Sequence, residues 1–326
     1  MTQQGSYKLP STLENQQGKV RKVGFELEFT GLDLNQAIAV VEKQFATTGV
    51  QQSIAEGLVS VADLGDFSIE LDWHYLKEKA TQPDRSNDDW LDLLSQAATL
   101  LVPIEVVCPP LPVTDLGVLD PLVENLRRAG AGGTEDSLIA AYGVHINAEI
   151  PDLDAPHLYN YLRAFSLLQW WLVDDHQVDF SRRLSPFVDL YPEAYVKLLL
   201  ERREPDLQVL MNDYLYYNAS RNRALDLLPL LAEIDATRVG RAVTDVKVKA
   251  RPAFHYRLPN CQIDKPGWSL AAPWNTWWVV EELAQQPDDL DQLAHEFLSH
   301  HRPLLGVSRG YWTEFIDQWL KNHKLA

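Results

Sequence analysis

The sequence predicts an α+β fold: a mainly antiparallel sheet, helices on its outer face, and a helical C-terminal region. Three observations lead there. Short segments near 22–29, 58–64, 67–73, 103–108 and 141–150 alternate apolar and polar residues in the strand period, and an extended run returns late, at 244–260. Helical periodicity fills the intervals and the tail from 275 onward. A regular strand–helix alternation with a glycine fingerprint is missing, and 130-GAGGTEDS-137 is not followed by the Gly-Lys-Ser/Thr of a phosphate loop, so a dinucleotide or P-loop fold is not expected.

Each element has its own justification. The polar stretch 1–19 reads as a flexible N-terminal tail, and 20–326 as a single domain. In 22-KVGFELEFTGL-32 the apolar Val23, Phe25, Leu27 and Phe29 alternate with Gly24, Glu26 and Glu28. Glu26 and Glu28 therefore share a strand face about 7 Å apart. Next, 33-DLNQAIAVVEKQF-45 is an amphipathic helix with Asp33 as N-cap. The runs 58–64 and 67–73 form a hairpin turning at Gly65-Asp66. A polar loop over 80–88 precedes a helix at 89–101. The strand in 103-PIEVVCPPLP-112 is stopped by Pro109 and Pro110. A helix near 118–129 leads into the glycine-rich loop, and 141-AYGVHINAEI-150 is the next strand. Helical sequence then covers about 154–235, with breaks near Pro186, Pro192 and Pro205. After the extended run, kinked before Pro252, three helices follow at 275–285, 288–301 and 309–322, a C-terminal extension over about 275–326.

Composition narrows the function. The 326 residues carry a net charge of −17, which argues against nucleic-acid or anionic-membrane partners. Two cysteines, Cys108 and Cys261, make a disulfide framework unexpected and suit a reducing cytoplasm. No apolar run approaches the ~18 residues of a membrane span, and the N-terminus has no signal-peptide core.

The strands share a second pattern. Opposite their apolar faces stand Glu26 and Glu28; Ser68, Glu70 and Asp72; Glu105; His145, Asn147 and Glu149; and His255 and Arg257, with Asn260 just beyond. Any one pair is what a solvated sheet face shows. Together they lack the Lys, Thr and Gln expected of such a face. They are instead ligands for hard cations, with an arginine fork for phosphate or carboxylate. Glu70 and Glu149 are candidates for proton transfer, though a solvated rim explains each of them slightly better. Arg251, ahead of the late strand, is a better anion contact than Arg221 or Arg223, which suit surface ion pairs. The cluster 274-WNTWWVV-280 reads as helix packing rather than a stacking platform, and Cys108 as a buried small residue.

The motifs KVGFELEFTGL, PIEVVCPPLP, YGVHINAEI and FHYRLPN, in that order from about 20 to 260, resemble those of the amidoligase family, and 220-SRNRALDLLPLL-231 is similar too. That family is similar to the glutamine synthetase and glutamate–cysteine ligase superfamily. The resemblance implies a curved, mainly antiparallel sheet whose concave face holds ATP and two or three divalent metals. It implies an ATP-dependent carboxylate–amine ligase working through an acyl phosphate, with Mg²⁺ or Mn²⁺. By motif, Glu26, Glu28 and Glu105 correspond to metal ligands, and His145 to a metal or nucleotide contact with Asn147 alongside. The last strand of the family carries Glu two residues before Arg; here these positions are His255 and Arg257, so His255 either serves a metal such as Mn²⁺ or leaves fewer metals bound. Asn260, Arg251 and Arg257 fall among the expected nucleotide contacts. Expected substrates are small-molecule or peptide carboxylates and amines, with an amidotransferase-like hydrolase as functional partner and an oligomer as a possible state. Competing readings are a guanidino-kinase-like phosphotransferase, a hydrolase using paired carboxylates without ATP, and a binding module whose site has decayed.

Overall fold

The structure, a computed structural model, describes residues 6–71, 103–134, 142–184, 188–243 and 248–326. The helix expected at 89–101, the loop at 80–88 and Asp72 lie outside the described residues. The strands are β1 (Lys22–Phe29), β2 (Val50–Gln51), β3 (Glu56–Val61), β4 (Gly65–Leu71), β5 (Ile104–Val107), β6 (Leu111–Pro112), β7 (Val144–Ala148), β8 (Leu225–Asp226) and β9 (His255–Tyr256). They order as β2-β3-β4-β5-β1-β7-β9-β8, with β6 beside β1, in an antiparallel sheet that does not close. The α+β expectation is met. The chain divides into two compact units, one built mainly from Val23–His145 and Pro259–Ala272, the other from Tyr7–Lys22, Ile146–Leu258 and Pro273–Ala326.

In the first unit, period-two alternation decides which face is buried. Phe25, Leu27 and Phe29 of β1, Ile104 and Val106 of β5, and Phe67 and Ile69 of β4 have no exposed surface. Helices α1 (Leu34–Phe45) and α2 (Asp120–Ala129) pack on each other, and α1 lies on β3 and β4, with Phe45 stacked on Phe67 at 4.9 Å. Asp33 and Gln36 form a reciprocal capping box that starts α1 at the expected place. The hairpin turns earlier than expected. Val61 pairs with Gly65, and the loop is Ala62-Asp63-Leu64, with Asp63 left-handed at φ 67. A three-residue loop with a left-handed residue is a common hairpin solution, and it puts Gly65-Asp66 inside β4. The glycine loop has a packing reason. Gly31 sits at φ 88, and a Cβ there would lie 2.2 Å from the Gly130 carbonyl oxygen.

The second unit is organised on α3 (Ala155–Asp175), which is apolar on most sides and buried along its length. Around it pack α5 (Glu193–Glu201), α6 (Leu207–Asn218), α9 (Pro287–His300) and α10 (Arg309–Asn322); the short α4 (Phe180–Leu184), α7 (Leu228–Ala242) and α8 (Ala271–Ala284) complete the unit. Two departures from the sequence reading concern strands. The helical run expected over about 154–235 is interrupted by β8, and among the described residues of the extended run 244–260 only His255 and Tyr256 form a strand. Trp274 and Trp277 are fully buried, as helix packing requires.

Residues expected to trail as a loose tail are fastened in this unit. The indole N–H groups of Trp274 and Trp278 donate to the carbonyls of Lys8 and Leu9, and the Ser11 amide donates to Glu282. Asn15 donates to Glu149. At the end of the segment, buried Arg21 pairs with buried Glu281 at 2.8 Å and donates to the Glu149 carbonyl, while Tyr161 and Trp277 also donate to Glu281. Burial opposes the Arg21 charge, but Glu281 and Tyr161 outweigh it and raise its pKa. Local polarity could not reveal this because Trp274, Trp278, Glu281 and Glu282 lie far away in sequence.

Two stability predictions follow from this unit. Glu281→Ala leaves a buried, uncompensated guanidinium and should cost about 3–5 kcal/mol in urea unfolding; a loss under 1 kcal/mol would contradict the network's role. The second concerns His176, whose Nε2 lies 2.7 Å from the Tyr256 hydroxyl. Burial, then the Arg182 charge, pushes His176 from 6.5 down to about 3. Burial holds the Tyr256 hydroxyl protonated, so it donates to a neutral ring. The unfolded chain therefore binds a proton that the folded chain refuses between those values. Stability is full above pH 6.5 and falls as pH drops toward 3, by about 1–2 kcal/mol at pH 5. His176→Phe should flatten that part of the urea-midpoint profile; an unchanged slope would assign it to other groups.

Candidate functional site

The solvent side of the first unit's sheet carries an alignment that sequence spacing alone does not reveal. Glu56 of β3 stands opposite Glu70 of β4, Glu70 opposite Glu105 of β5, and Glu105 opposite Glu28 of β1. Four glutamates thus form one row across four adjacent strands. Directly opposed residues have Cβ atoms about 5 Å apart, and like charges there destabilise a sheet. Glu26 lies one pleat further along β1, on the same face.

An imidazole meets this row at β1. Nδ1 of His145 is 2.9 Å from a Glu26 oxygen, and Nε2 is 3.5 Å from a Glu28 oxygen. In the neutral ring, Nδ1–H donating to Glu26 leaves the lone pair on Nε2, toward Glu28. The second Glu28 oxygen accepts from the Gly143 amide at 2.8 Å. Glu28, Glu105 and His145 each offer a ligand atom, all within 4.8 Å of one another. Two carboxylates and an imidazole suit Mg²⁺ or Mn²⁺, and a carboxylate on the far ring nitrogen is the usual way a ligating histidine is oriented. The donor set therefore fits a hard divalent cation. Glu70 accepts from the Ser68 hydroxyl at 2.7 Å. Cys108 is buried, and burial together with the Glu26 charge raises its pKa, which keeps it a thiol. Asn260 is buried and bridges to Gly143.

The second unit holds the remaining candidates. The Asn147 side-chain oxygen is 2.7 Å from both Nη2 of Arg251 and Nδ1 of His255. Arg257 is buried, and its Nη2 is 3.4 Å from Asp226, which is fully buried. Burial raises the Asp226 pKa, and the Arg257 charge opposes the shift. Both Glu149 carboxylate oxygens are engaged, one by Asn15 and one by the Lys22 amide, so in this structure Glu149 fastens the N-terminal segment. Arg223 donates to the carbonyls of Leu190 and Tyr217.

Comparison with known proteins adds one finding. Residues 19–279 match the family model described as "Putative amidoligase enzyme". The chain belongs to this amidoligase family. No curated protein and no solved structure matches it.

In this amidoligase, two acidic residues escaped the sequence reading. Glu56 opens β3, and nothing in its neighbourhood separates it from a surface glutamate; only register brings it into the row. Asp226 lies in the motif SRNRALDLLPLL, but the helical reading of that stretch hid the two-residue strand β8 that sets it opposite His255. A further acidic–histidine group, Asp152, Asp154 and His157, surrounds the start of α3, where Asp154 caps the helix.

The row makes a direct prediction. Glu105→Gln removes a charge flanked by Glu70 and Glu28. Without divalent cation, the variant should be more stable than wild type by about 0.5–1 kcal/mol, while losing most of the stabilisation that Mg²⁺ or Mn²⁺ gives wild type. Thermal melts in chelator and in millimolar metal measure both. A variant destabilised in chelator and still stabilised normally by metal would contradict the assignment.

Proposed function

We propose that this amidoligase is an ATP-dependent carboxylate–amine ligase that activates a carboxylate as an acyl phosphate and transfers it to an amine. The observation that carries the reading is the glutamate row joined by His145, together with membership of the family. Glu28, Glu105 and Nε2 of His145 would hold a divalent cation. Bound there, Mg²⁺ or Mn²⁺ would neutralise phosphate oxygens, the main electrostatic demand of phosphoryl transfer. Glu26 orients the His145 ring. Glu70 is suited to take the proton from the incoming ammonium group, because its carboxylate faces the solvent side of the sheet.

In the second unit, Arg257 and Arg251 are the anion-holding groups, for phosphate or for the substrate carboxylate, with Asn147 and His255 as their neighbours. The substrate classes are small-molecule or peptide carboxylates and amines.

The test is product release. Purified protein with Mg²⁺ or Mn²⁺ and ATP should form ADP and phosphate only when a carboxylate and an amine are both supplied, with equimolar amide. Glu28→Ala should lower that turnover by about 100-fold or more, and Arg257→Lys should lower it strongly because a two-point fork becomes a point charge. A stable phosphorylated product would favour a phosphotransferase instead. Full activity in Glu28→Ala would remove the cation assignment.

A further inference from the structure

Arg257 poses an unsolved problem in the second unit. Its side chain is 9% exposed and its buried Nε has no partner among the described residues, so a delocalised cation is held largely out of water. Asp226 is the residue that makes this tolerable. It is fully buried on β8, directly opposite His255 in the strand register, so its side chain reaches Arg257 two residues along β9's extension. Its two oxygens are divided. Oδ1 accepts from the Leu228 amide at 2.9 Å, which locks the carboxylate to the start of α7. Oδ2 faces Nη2 of Arg257 at 3.4 Å.

The backbone around Arg257 is fixed from both sides. Its amide donates to the Ala224 carbonyl, and buried Arg182 donates to the carbonyls of Arg257 and Leu258, at 2.7 and 2.6 Å. The main chain is pinned there, and among the described residues the side chain's polar contact is the one to Asp226. A guanidinium carries five N–H donors in a planar fork. A single carboxylate oxygen near Nη2 uses a small part of that fork, and a buried donor without a partner is costly unless an anion completes it.

We infer that Asp226 is a positioning residue: it holds the Arg257 guanidinium by one nitrogen so that the rest of the fork is presented to an oxyanion, either a phosphoryl group or a substrate carboxylate. This rests on the ligase reading for the identity of the anion, but the Asp226–Arg257 coupling stands on the second unit's own geometry.

The test uses full-length Asp226→Asn, Arg257→Lys and the double variant. Asparagine retains an oxygen for the Leu228 amide but replaces the oxygen facing Arg257 with an NH2 group that cannot accept, so both the charge and the acceptor are lost there, and Asp226→Glu restores them with a longer reach. Two readouts are taken. The first is the ¹⁵N NMR signal of the Arg257 Nε–H, assigned by its loss in Arg257→Lys. It should exchange slowly with solvent in wild type and exchange fast or broaden in Asp226→Asn. The second is calorimetric binding of ATP with Mg²⁺. Asp226→Asn should weaken affinity by about ten-fold or more, Asp226→Glu should recover part of it, and Asp226→Asn should add little once Arg257 is already lysine.

An unchanged Arg257 signal in folded Asp226→Asn overturns the inference, as do losses from Asp226→Asn and Arg257→Lys that simply add. If wild type binds no nucleotide but the NMR signal responds to Asp226→Asn as expected, the positioning inference stands and the ligase reading falls. If Asp226→Asn fails to fold, Asp226→Glu carries the same NMR comparison, and a wild-type signal there with ten-fold weaker binding overturns the inference.

Discussion

Antiparallel pairing forces directly opposed residues on neighbouring strands to within about 5 Å. In this chain that constraint brings Glu56, Glu70, Glu105 and Glu28 into one row. The register cannot slip to relieve them. A one-residue shift would turn Phe67, Ile69, Ile104, Val106, Leu27 and Phe29 out of the core and the glutamates into it. The hydrophobic face thus enforces an electrostatic arrangement that the carboxylates alone would avoid. A divalent cation would convert that repulsion into attraction, and the adjoining imidazole, hydrogen-bonded to Glu26, would supply a third donor.

The second unit follows a different rule. Several of its charged residues are buried, and these are held by specific partners: Arg21 by Glu281, Arg257 by Asp226, Arg182 by two backbone carbonyls. Buried charges of this kind add little net stability, because desolvation cancels much of the attraction. What they provide is fixed position. The Arg21–Glu281 pair, reinforced by Tyr161 and Trp277, fixes the end of the N-terminal segment; the Arg257–Asp226 pair fixes a guanidinium on the strand end that carries the family's last motif.

The parts of this arrangement that could be read in the sequence were those set by local chemistry. The alternation in β1 identified the face of Glu26 and Glu28. Asp33 marked the start of α1, and helical periodicity placed the starts of α9 and α10 to within a residue. What escaped was set by register or by distant partners. Glu56 joins the row only through β3–β4 pairing, and the turn falls earlier than Gly65-Asp66 because Asp63 takes a left-handed conformation within a three-residue loop. Asp226 sits in a strand too short to show a period. The segment 7–19 reads as tail because its anchors, Trp274, Trp278 and Glu282, lie more than 250 residues away. Glu149 looked like a member of the polar face by spacing, yet its carboxylate is taken by Asn15 and Lys22.

The central claim is that the glutamate row and His145 hold a divalent cation, and titration with Mn²⁺ followed by electron paramagnetic resonance tests it most directly. Free Mn²⁺ gives a six-line signal that diminishes on binding. Wild-type protein should remove that signal at micromolar concentrations, on the order of one or two ions per chain, and a Glu28→Gln/Glu105→Gln variant should lose the tight component. Wild-type protein that leaves the signal unchanged, or a double variant that binds as wild type does, would contradict the account.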